Sequence, residues 1–253
     1  MLYYYQNMRY ALLADIHSNL AAFEAVLADI KSKGEIAAIW CLGDIVGYGP
    51  DPVECIQLLR QQPHDCIAGN HDWAAIGRLD ISDFNPTAAD AVQWTGQQLG
   101  REEIEYLQSL PLSLNRDKFT LVHGSPREPI WEYLVSAEAA RDNLAHFQTS
   151  HCLVGHSHMP FVFECAQGNC HLRRLPEDSP LDLSKMGECR LIINPGGVGQ
   201  PRDGDPRASY AIYDSQAETI YHYRVEYDIQ ATQMKMRRYR LPESLALRLS
   251  YGW

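Results

Sequence analysis

Short apolar segments alternate with amphipathic segments over the first part of the chain. The run from Arg9 to Ala14 is apolar after its first residue, as is typical of a buried strand, and a polar turn follows it. Between Leu20 and Ile30 the apolar residues recur at helical spacing, which predicts an amphipathic helix. Ser18 and Asn19 are its N-cap candidates, and Gly34 is its expected C-terminal stop.

The same alternation then repeats along the chain. Residues Ile36 to Leu42 predict a second strand, Pro52 lies in the first turn of a second predicted helix, and Cys66 to Ala68 predict a third strand. This order favours parallel neighbouring strands joined by right-handed crossovers. Polar residues at the carboxyl ends of such strands are therefore expected to gather in one crevice.

A helical insert separates these strands from the second half of the chain. Residues 86 to 109 have a helical pattern with a break at Gly100. We expect the segment 84–110 to form a helical lid over the crevice.

The chain after this insert is rich in strand patterns. We place strands at 120–123, 152–154, 161–164, 172–175, 190–193, 208–213 and 219–226. A predicted helix at about 137–147 interrupts them, a polar loop is expected at 176–188, and a basic helix at 229–239. None of these segments marks a domain boundary, so we expect one α/β domain over residues 9–253.

Length and composition agree with this organisation. A chain of 253 residues with 45% hydrophobic content suffices for one large α/β domain. Residues 1–8 are expected to be a tail or to precede an alternative start, because Met8 comes directly before the first strand. No apolar run approaches the ~20 residues that cross a bilayer, and no secretory signal pattern opens the chain, so we expect a cytoplasmic protein without a membrane partner.

The charge balance restricts the class of partner. A formal net charge of −10 disfavours binding to duplex nucleic acid through a basic surface. It is compatible with a phosphorylated small molecule or nucleotide, because divalent ions make a pocket locally positive. The sequence does not specify an oligomeric state.

The seven cysteines are odd in number and include no CxxC pair, which argues against a zinc ribbon and a disulfide framework. Cys165 and Cys170 lie on either side of a predicted hairpin turn. In a reducing compartment we expect them to be two packed thiols, with a disulfide as the alternative.

Residues of metal-binding types follow five of the predicted strands. They are Asp15 with His17, Asp44, Asn70 with His71, His123, and His156 with His158. A single histidine or aspartate at a strand end is usually a cap or a surface group. Side chains two residues apart, however, point to the same side of an extended segment and can converge on one ion. The combination predicts a two-metal site in which the Asp44 carboxylate bridges the ions.

In these motifs the chain resembles the calcineurin-like metallophosphoesterases. Their signature of D-x-H, GD, GNH, H and GH-x-H is complete and in order between Asp15 and His158. The wider strings around residues 43–50, 69–72, 123–127 and 194–202 resemble the small bacterial branch of that family. The resemblance implies a four-layer αββα sandwich, in which two mixed β-sheets are flanked by helices.

The resemblance also implies roles for individual residues. The first metal would be bound by Asp15, His17, Asp44 and His158, and the second by Asp44, Asn70, His123 and His156. A hydroxide shared by the two ions would attack phosphorus in line, and oxygen and nitrogen ligands without thiolate suit manganese, iron or zinc. His71 would protonate or polarise the leaving oxygen, with Asp72 orienting its ring.

The substrate side is less specific. Arg127 and Arg202 are candidates for a bidentate phosphate clamp, with ordinary surface arginine as the alternative. The glycine-rich loop 196–199 could add an anion nest. Tyr48 lies near the motifs and could stack on an aryl or nucleobase group, although core packing is the usual role of such a residue.

We therefore predict a dinuclear-metal-dependent hydrolase of phosphate monoesters or diesters. Phosphoprotein or dinucleoside polyphosphate hydrolysis is an alternative, because the shared motifs position phosphorus and little else. A non-catalytic metal-binding scaffold is a further alternative, and the presence of both His71 and Asp44 argues against it.

Overall fold

Two six-stranded mixed β-sheets pack face to face. The computed structural model describes residues 8–177 and 179–253. Its strands are β1 Arg9–Leu13, β2 Ala38–Cys41, β3 His64–Cys66, β4 Ser113–Arg116, β5 Phe119–Val122, β6 His151–Leu153, β7 Pro160–Ala166, β8 Asn169–Arg174, β9 Leu181–Asp182, β10 Arg190–Pro195, β11 Ala208–Asp214 and β12 Thr219–Val225. The strand orders are β3-β2-β1-β11-β12-β9 and β4-β5-β6-β10-β7-β8.

Each sheet contains one block of three parallel strands. Strands β3, β2 and β1 are parallel in the first sheet, and β5, β6 and β10 are parallel in the second. The remaining pairs are antiparallel. The carboxyl ends of the parallel strands lead into the loops that carry the predicted metal ligands, as the strand order predicts.

Large aromatic side chains fill the space between the two sheets. Trp40 and Tyr213 from the first sheet meet Phe119 from the second, with ring centroids 6.0 Å and 4.9 Å from the Phe119 ring. All three side chains are buried. Leucine, isoleucine and valine residues from both sheets complete this layer. Burial of such side chains is the main stabilising term of a sandwich.

Helices cover the outer faces. They are α1 Leu20–Ser32, α2 Pro52–Arg60, α3 Asn70–Ala75, α4 Pro86–Gln98, α5 Arg101–Ser109, α6 Ala137–Asn143, α7 Ile229–Arg238 and α8 Glu243–Arg248. Helices α1, α2 and α5 pack on the first sheet through residues such as Phe23, Ile56 and Leu107, and α6 packs on the second through Ala140. The predicted four-layer sandwich is confirmed. Across residues 8–177 and 179–253, each helix is too short or too polar to cross a bilayer.

Local signals place most of the early elements correctly. The Asn19 side chain caps α1 by accepting from the Ala22 amide at 3.2 Å, and Gly34 follows the helix with φ of +110°. The third strand lies at His64–Cys66 rather than at Cys66–Ala68, because it pairs with Ile39–Cys41 of β2 and the chain then leaves the sheet. The short helix α3 was not predicted.

The helical insert has the predicted break at Gly100, which lies between α4 and α5. Phe84 precedes α4 and contacts the ring of His71 with centroids 5.0 Å apart. Residues Ala88 and Ala91 of α4 pack against the C-terminal helices. The insert thus borders the crevice, and its role as a lid stays a prediction.

Some segments differ from the sequence prediction. The predicted loop at 176–188 contains the short strand β9, and its residue 178 lies outside the described residues. Strand β4 and helix α8 were not predicted. The proposed tail lies outside the described residues except for Met8, whose carbonyl oxygen accepts from the Ser215 amide at 3.0 Å.

The prediction of two free thiols in the β7–β8 hairpin is wrong. The strand register places Cys165 directly opposite Cys170, with Cα atoms 4.1 Å apart, and the two are joined in a disulfide. The pairing follows from the register, which the sequence pattern left open. The other five cysteines are free.

A buried histidine on β12 makes the stability of the folded protein depend on pH. The Ser209 hydroxyl donates to the Pro195 carbonyl oxygen at 2.6 Å, so its own oxygen accepts a hydrogen bond from the Nε2–H of His222 at 2.8 Å. Nδ1 of His222 is buried without a hydrogen-bond partner. Burial, together with the charges of Arg224 and Arg207, lowers the pKa of His222 from 6.5 to about 3. The folded protein therefore keeps this ring neutral in mild acid.

We predict that acidification destabilises the fold through His222. Below pH 6.5 the unfolded chain binds a proton at His222 that the folded chain excludes. The free energy of unfolding is therefore at its full value above pH 6.5 and decreases as the pH falls towards 3. Between pH 7 and pH 5 the loss is about 2 kcal/mol. The free energy of unfolding should be measured by urea denaturation at both pH values with a chelator present. Between pH 7 and pH 5, His222→Gln should lose about 2 kcal/mol less than the wild type. The exposed His171→Gln is the control, and an unchanged pH effect in His222→Gln would contradict the assignment.

Candidate metal centre

A buried cluster of imidazoles, carboxylates and one amide lies where the parallel strands of both sheets end. Its members are no more than 3% exposed and comprise Asp15, His17, Asp44, Asn70, His123, His156 and His158. The first sheet supplies the residues after β1, β2 and β3, and the second sheet supplies those after β5 and β6. The structure therefore brings together all seven predicted ligands.

The loops that carry these residues have unusual backbone conformations. Non-glycine residues with positive φ occur repeatedly in this cluster, at Asp15, His17, Ser18, Asp44, Tyr48, His156 and His158. Such conformations cost of order 1–3 kcal/mol each and persist only where the surroundings impose them. Here the Asp15 amide donates to the Gly43 carbonyl at 3.1 Å, and the His17 amide donates to the Asp44 carbonyl at 2.9 Å. The two loops thus hold each other in place.

Glycine allows the loops after β2 and β3 to touch. A Cβ atom on Gly69 would lie 2.1 Å from Oδ1 of Asp44, and one on Gly43 would lie 2.7 Å from the Gly69 nitrogen. Side chains at these two positions would separate the loops. The glycines of the GD and GNH motifs therefore permit close approach of the backbone.

Ligand atoms in the cluster converge on three overlapping points. The groups Asp15–His17–His158, His17–Asp44–His71 and Asp44–His123–His156 each offer atoms within 4.8 Å of one another. Asn70 joins the last group, because its Oδ1 lies 3.0 Å from Nε2 of His123.

Asp44 stands between the two halves of the cluster. Its Oδ2 lies 3.5 Å from Nε2 of His17 and 3.3 Å from Nε2 of His123. That oxygen is buried and makes no hydrogen bond, as is also true of Oδ2 of Asp15. Two buried carboxylate oxygens without donors match the requirement of divalent cations for anionic ligands.

Backbone carbonyl groups determine which histidine nitrogen faces the cluster. Nδ1 of His17 lies 3.1 Å from the carbonyl oxygen of Val46. Nδ1 of His123 lies 2.8 Å from that of Leu42, and Nδ1 of His158 lies 2.6 Å from that of Gln200. Each Nδ1 therefore carries a proton, so in the neutral ring the lone pair of Nε2 faces the cluster. His156 is reversed, because its Nε2 contacts the Trp131 carbonyl oxygen at 3.2 Å.

The resulting contacts fit a cation. Nε2 atoms of His17 and His158 face each other at 3.1 Å, and burial lowers the pKa of both rings. Two unprotonated nitrogens at that distance repel unless a positive ion lies near both. Nitrogen and oxygen donors without a thiolate are typical of a catalytic transition-metal site.

The carboxylates have different electrostatic surroundings. Burial raises the pKa of Asp15 to about 7, and the charge of Asp44 adds to this effect. Burial also acts to raise the pKa of Asp44, but the rings of His123 and His71 outweigh it and hold that pKa below its usual range. Burial by itself would lower the pKa of His123. The negative charge of Asp44 outweighs burial and raises that pKa to about 9. A cation would compete with this His123 proton.

His71 borders the cluster, and Asp72 does not orient it. The Asp72 carboxylate accepts from the amides of Asp44, Val46 and Gly69 at 2.8 Å, 3.1 Å and 3.0 Å. Nδ1 of His71 is buried without a hydrogen-bond partner. The expectation that Asp72 orients the His71 ring is therefore wrong. Asp72 is the third residue of α3, so its side chain points back to the start of the helix and holds the loop after β2.

Tyr48 and Arg202 lie beside the cluster. The Tyr48 ring packs on His17 and His71 with centroid distances of 4.6 Å and 4.3 Å. Nη2 of Arg202 donates to the Tyr48 hydroxyl at 3.4 Å and to Oε1 of Gln200 at 2.8 Å. Both residues lie beside the cluster, and their contact with a substrate stays a prediction.

Two other expectations fail. Arg127 is occupied by ion pairs with Glu132 and Asp142 rather than free to clamp phosphate. In the glycine-rich loop 196–199, the amides of Val198 and Gly199 donate to the carbonyl oxygens at the end of β1, both at 2.9 Å. These amides anchor the loop to the strand that precedes the centre, so they do not form an anion nest.

Sequence reasoning missed the contribution of the C-terminal helices. Met236 of α7 and Leu245 and Leu249 at α8 pack with Tyr48 in one buried cluster. Arg248 at the end of α8 is partly buried, and its Nε donates to the terminal oxygen of Trp253. No motif contains these residues. The only signal in the sequence is the helical spacing of their apolar side chains, which indicates packing.

Comparisons with known proteins agree with this geometry. The sequence model of the calcineurin-like phosphoesterase superfamily domain matches residues 8–218. A metallophosphoesterase from Sphaerobacter thermophilus is 47% identical with a TM-score of 0.88, and the match covers 98% of this chain and 100% of that chain. A protein of Methanocaldococcus jannaschii is 41% identical over 251 residues, which are 96% of this chain and 97% of that protein.

A more distant match is the symmetrical bis(5'-nucleosyl)-tetraphosphatase of Erwinia tasmaniensis, which is 26% identical over 142 residues. That match spans 52% of this chain and 49% of the tetraphosphatase, so about half of either protein is compared. The family match extends over most of the sandwich and over the loops that carry the buried cluster. The chain belongs to the calcineurin-like phosphoesterase superfamily and is a hydrolase that acts on phosphate esters.

Proposed function

We propose that this protein hydrolyses a small-molecule phosphate monoester or diester with two divalent cations bound by the buried cluster. The first cation would be held by Asp15, His17, Asp44 and His158, and the second by Asp44, Asn70, His123 and His156. The observation that carries the proposal is the position of Oδ2 of Asp44, which lies between a histidine of each set. Manganese, iron and zinc all suit these ligands.

The chemistry divides between the ions and the side chains. When bound, the two cations acidify a water molecule and neutralise charge on the phosphoryl group. The protein's own residues orient the ester and exclude bulk water. Tyr48 closes one side of the cluster, and Tyr133 stacks on His156 with ring centroids 3.9 Å apart. Arg202 supplies a cation for the phosphoryl oxygens.

We propose that His71 assists the leaving group as a neutral hydrogen-bond donor. Burial lowers the pKa of His71 to about 4, so the ring is uncharged at neutral pH. Phe84, Tyr48 and His17 surround it at ring distances of 4.3–5.0 Å, which limits its rotation. A fixed N–H that faces the leaving oxygen stabilises developing negative charge.

Hydrolysis of dinucleoside polyphosphates is the second candidate. Its support is the likeness to symmetrical bis(5'-nucleosyl)-tetraphosphatases, which recurs in several bacteria over a third to nearly three quarters of the chain. A non-catalytic scaffold has less support, because every ligand position and His71 are present.

The direct test is metal-dependent turnover of model esters. The purified protein would be loaded in turn with manganese, iron and zinc, its bound metal counted, and p-nitrophenol release measured from p-nitrophenyl phosphate and bis(p-nitrophenyl) phosphate. We expect two metal ions per chain at full activity. Absence of turnover on both esters and on diadenosine tetraphosphate, with both ions bound, would reject the proposal.

Replacement of the shared carboxylate should affect both ions. Asp44→Asn removes the bridging charge, so we expect fewer than two bound metals and a fall in kcat/KM of ~10²-fold or more. Elemental analysis and p-nitrophenyl phosphate kinetics measure the two effects. The exposed Asp90→Asn is the charge-matched control. Full occupancy and near-normal rates in Asp44→Asn would show that Asp44 does not bridge.

Loss of His71 should separate catalysis from metal binding. In His71→Ala we expect two bound metals but a kcat lower by ~10²-fold, because the leaving oxygen loses its donor. His71→Gln retains an N–H group and should recover part of the rate. A metal-free His71→Ala protein would instead identify His71 as a ligand, in line with its position near His17 and Asp44.

A further inference from the structure

Two aromatic side chains from different segments meet at the edge of the metal centre. Phe84 precedes α4, and Trp131 lies in the loop between β5 and α6. Their rings meet edge to face, with centroids 5.1 Å apart and planes inclined at 70°. We call this pair of residues, Phe84 and Trp131, the aromatic corner.

The aromatic corner extends from His71 to His156. The Phe84 ring is edge-on to His71, with centroids 5.0 Å apart, and the Trp131 ring is edge-on to His156, with centroids 6.4 Å apart. His71 is the donor that we propose for the leaving group, and His156 is a proposed ligand of the second cation. The corner therefore lies on the leaving-group side of the centre.

Main-chain contacts hold both rings in position. The Asn85 side chain, directly after Phe84, caps α4 by accepting from the Ala88 amide at 3.0 Å. The carbonyl oxygen of Trp131 accepts from Nε2 of His156 at 3.2 Å. The corner is therefore formed before a ligand arrives, which lowers the entropic cost of binding.

The two rings of the corner keep part of their surface exposed. Phe84 and Trp131 are both partly buried, whereas the members of the adjacent cluster are no more than 3% exposed. Further burial of these large rings would stabilise the fold. Apolar surface that stays open at the rim of a polar pocket is typical of contact with a ligand.

The other two tyrosine rings at the centre have less surface to offer. Tyr48 is only 6% exposed, and its ring contacts those of His17 and His71. Tyr133 is 47% exposed, but the His156 ring stacks on it at 3.9 Å and covers one face. Open aromatic surface next to His71 is therefore supplied by the corner.

We propose that the aromatic corner binds a flat ring that is attached to the leaving oxygen directly or through a single methylene group. Two rings inclined at 70° allow a third ring to stack on one and to meet the other edge-on, and aromatic pairs favour both arrangements. The linkage is short because the Phe84 ring lies only 5.0 Å from that of His71.

This inference rests on the proposed function and narrows its substrate class. The preferred substrates are phosphate esters of phenols and of aromatic alcohols. Sugar phosphates lack the ring, and nucleotides carry it further from phosphorus, so the corner favours neither.

Calorimetric titration of the metal-loaded protein tests the corner without turnover. The ligands are benzylphosphonate and cyclohexylmethylphosphonate, which share the phosphonate group and the ring size but differ in aromaticity. Apolar burial alone gives the cyclohexyl compound an affinity that is at least as high. We expect the wild type to bind benzylphosphonate about fivefold more tightly, as an aromatic contact of ordinary strength predicts.

Variants of the corner should remove this preference. Trp131→Leu keeps an apolar side chain but loses the ring, so the ratio of the two affinities should fall to about one. Phe84→Leu should lower the ratio as well, and Trp131→Phe, which keeps a ring, should restore part of it. The control is Trp253→Leu, which removes a tryptophan that is 63% exposed and should leave the ratio unchanged.

Equal affinities of the wild type for the two phosphonates would overturn the proposal, as would a ratio that Trp131→Leu and Phe84→Leu leave unchanged. An equal loss of affinity for both phosphonates in Trp131→Leu would show that the ring only packs the loop, and would also overturn it. If Trp131→Leu does not fold, the wild-type ratio, Trp131→Phe and Phe84→Leu decide the question.

A second pair of ligands determines how far the bound ring lies from phosphorus. The 5'-methylenephosphonate analogues of AMP and of ribose 5-phosphate differ by the nucleobase. We expect Trp131→Leu to change the ratio of these two affinities less than about twofold. If it changes this ratio and not that of the first pair, the corner holds a distant nucleobase and the proposed short linkage is wrong. Absence of ester hydrolysis rejects the proposed function, whereas these binding ratios judge the corner separately.

Discussion

The Asp44 carboxylate is the constraint on which the rest of the centre depends. One oxygen accepts from the His71 amide at 2.8 Å, and the other faces His17 and His123 from the two halves of the cluster. The backbone amide of Asp44 is held in turn by Asp72. A single buried anion thus links the loop after β2 to histidines that follow strands of both sheets. Metal binding would replace repulsion among unprotonated nitrogens with shared ligation.

The sandwich provides the stability that this arrangement requires. Buried anions and left-handed backbone conformations raise the free energy of the folded state. Two packed sheets with Trp40, Phe119 and Tyr213 between them bury enough apolar surface to offset that cost. Hydrogen bonds from the histidine rings to backbone carbonyl oxygens of neighbouring loops then determine which histidine nitrogen faces inward. The candidate ligands are consequently preorganised, so little reordering would accompany metal binding.

The candidate metal ligands and the wall beside them come from different parts of the chain. The ligands follow strands of the superfamily domain, whereas the outer wall beside Tyr48 comes from α7 and α8. A conserved fold can acquire new specificity in this way, because a peripheral element changes which groups lie beyond the scissile phosphate.

The sequence by itself determined most of the strand and helix order and the seven candidate ligands, and its resemblance to a known family implied the four-layer architecture. The elements follow from local periodicity, and the candidate ligands follow from short motifs whose geometry is set within a few residues. Only the tertiary structure decided that Cys165 pairs with Cys170, that Asp72 holds a loop, that Arg127 is occupied by Glu132, and that α8 packs against Tyr48. Each of these depends on strand register or on which side chains meet in space, and neither is encoded in the spacing of residues along one segment.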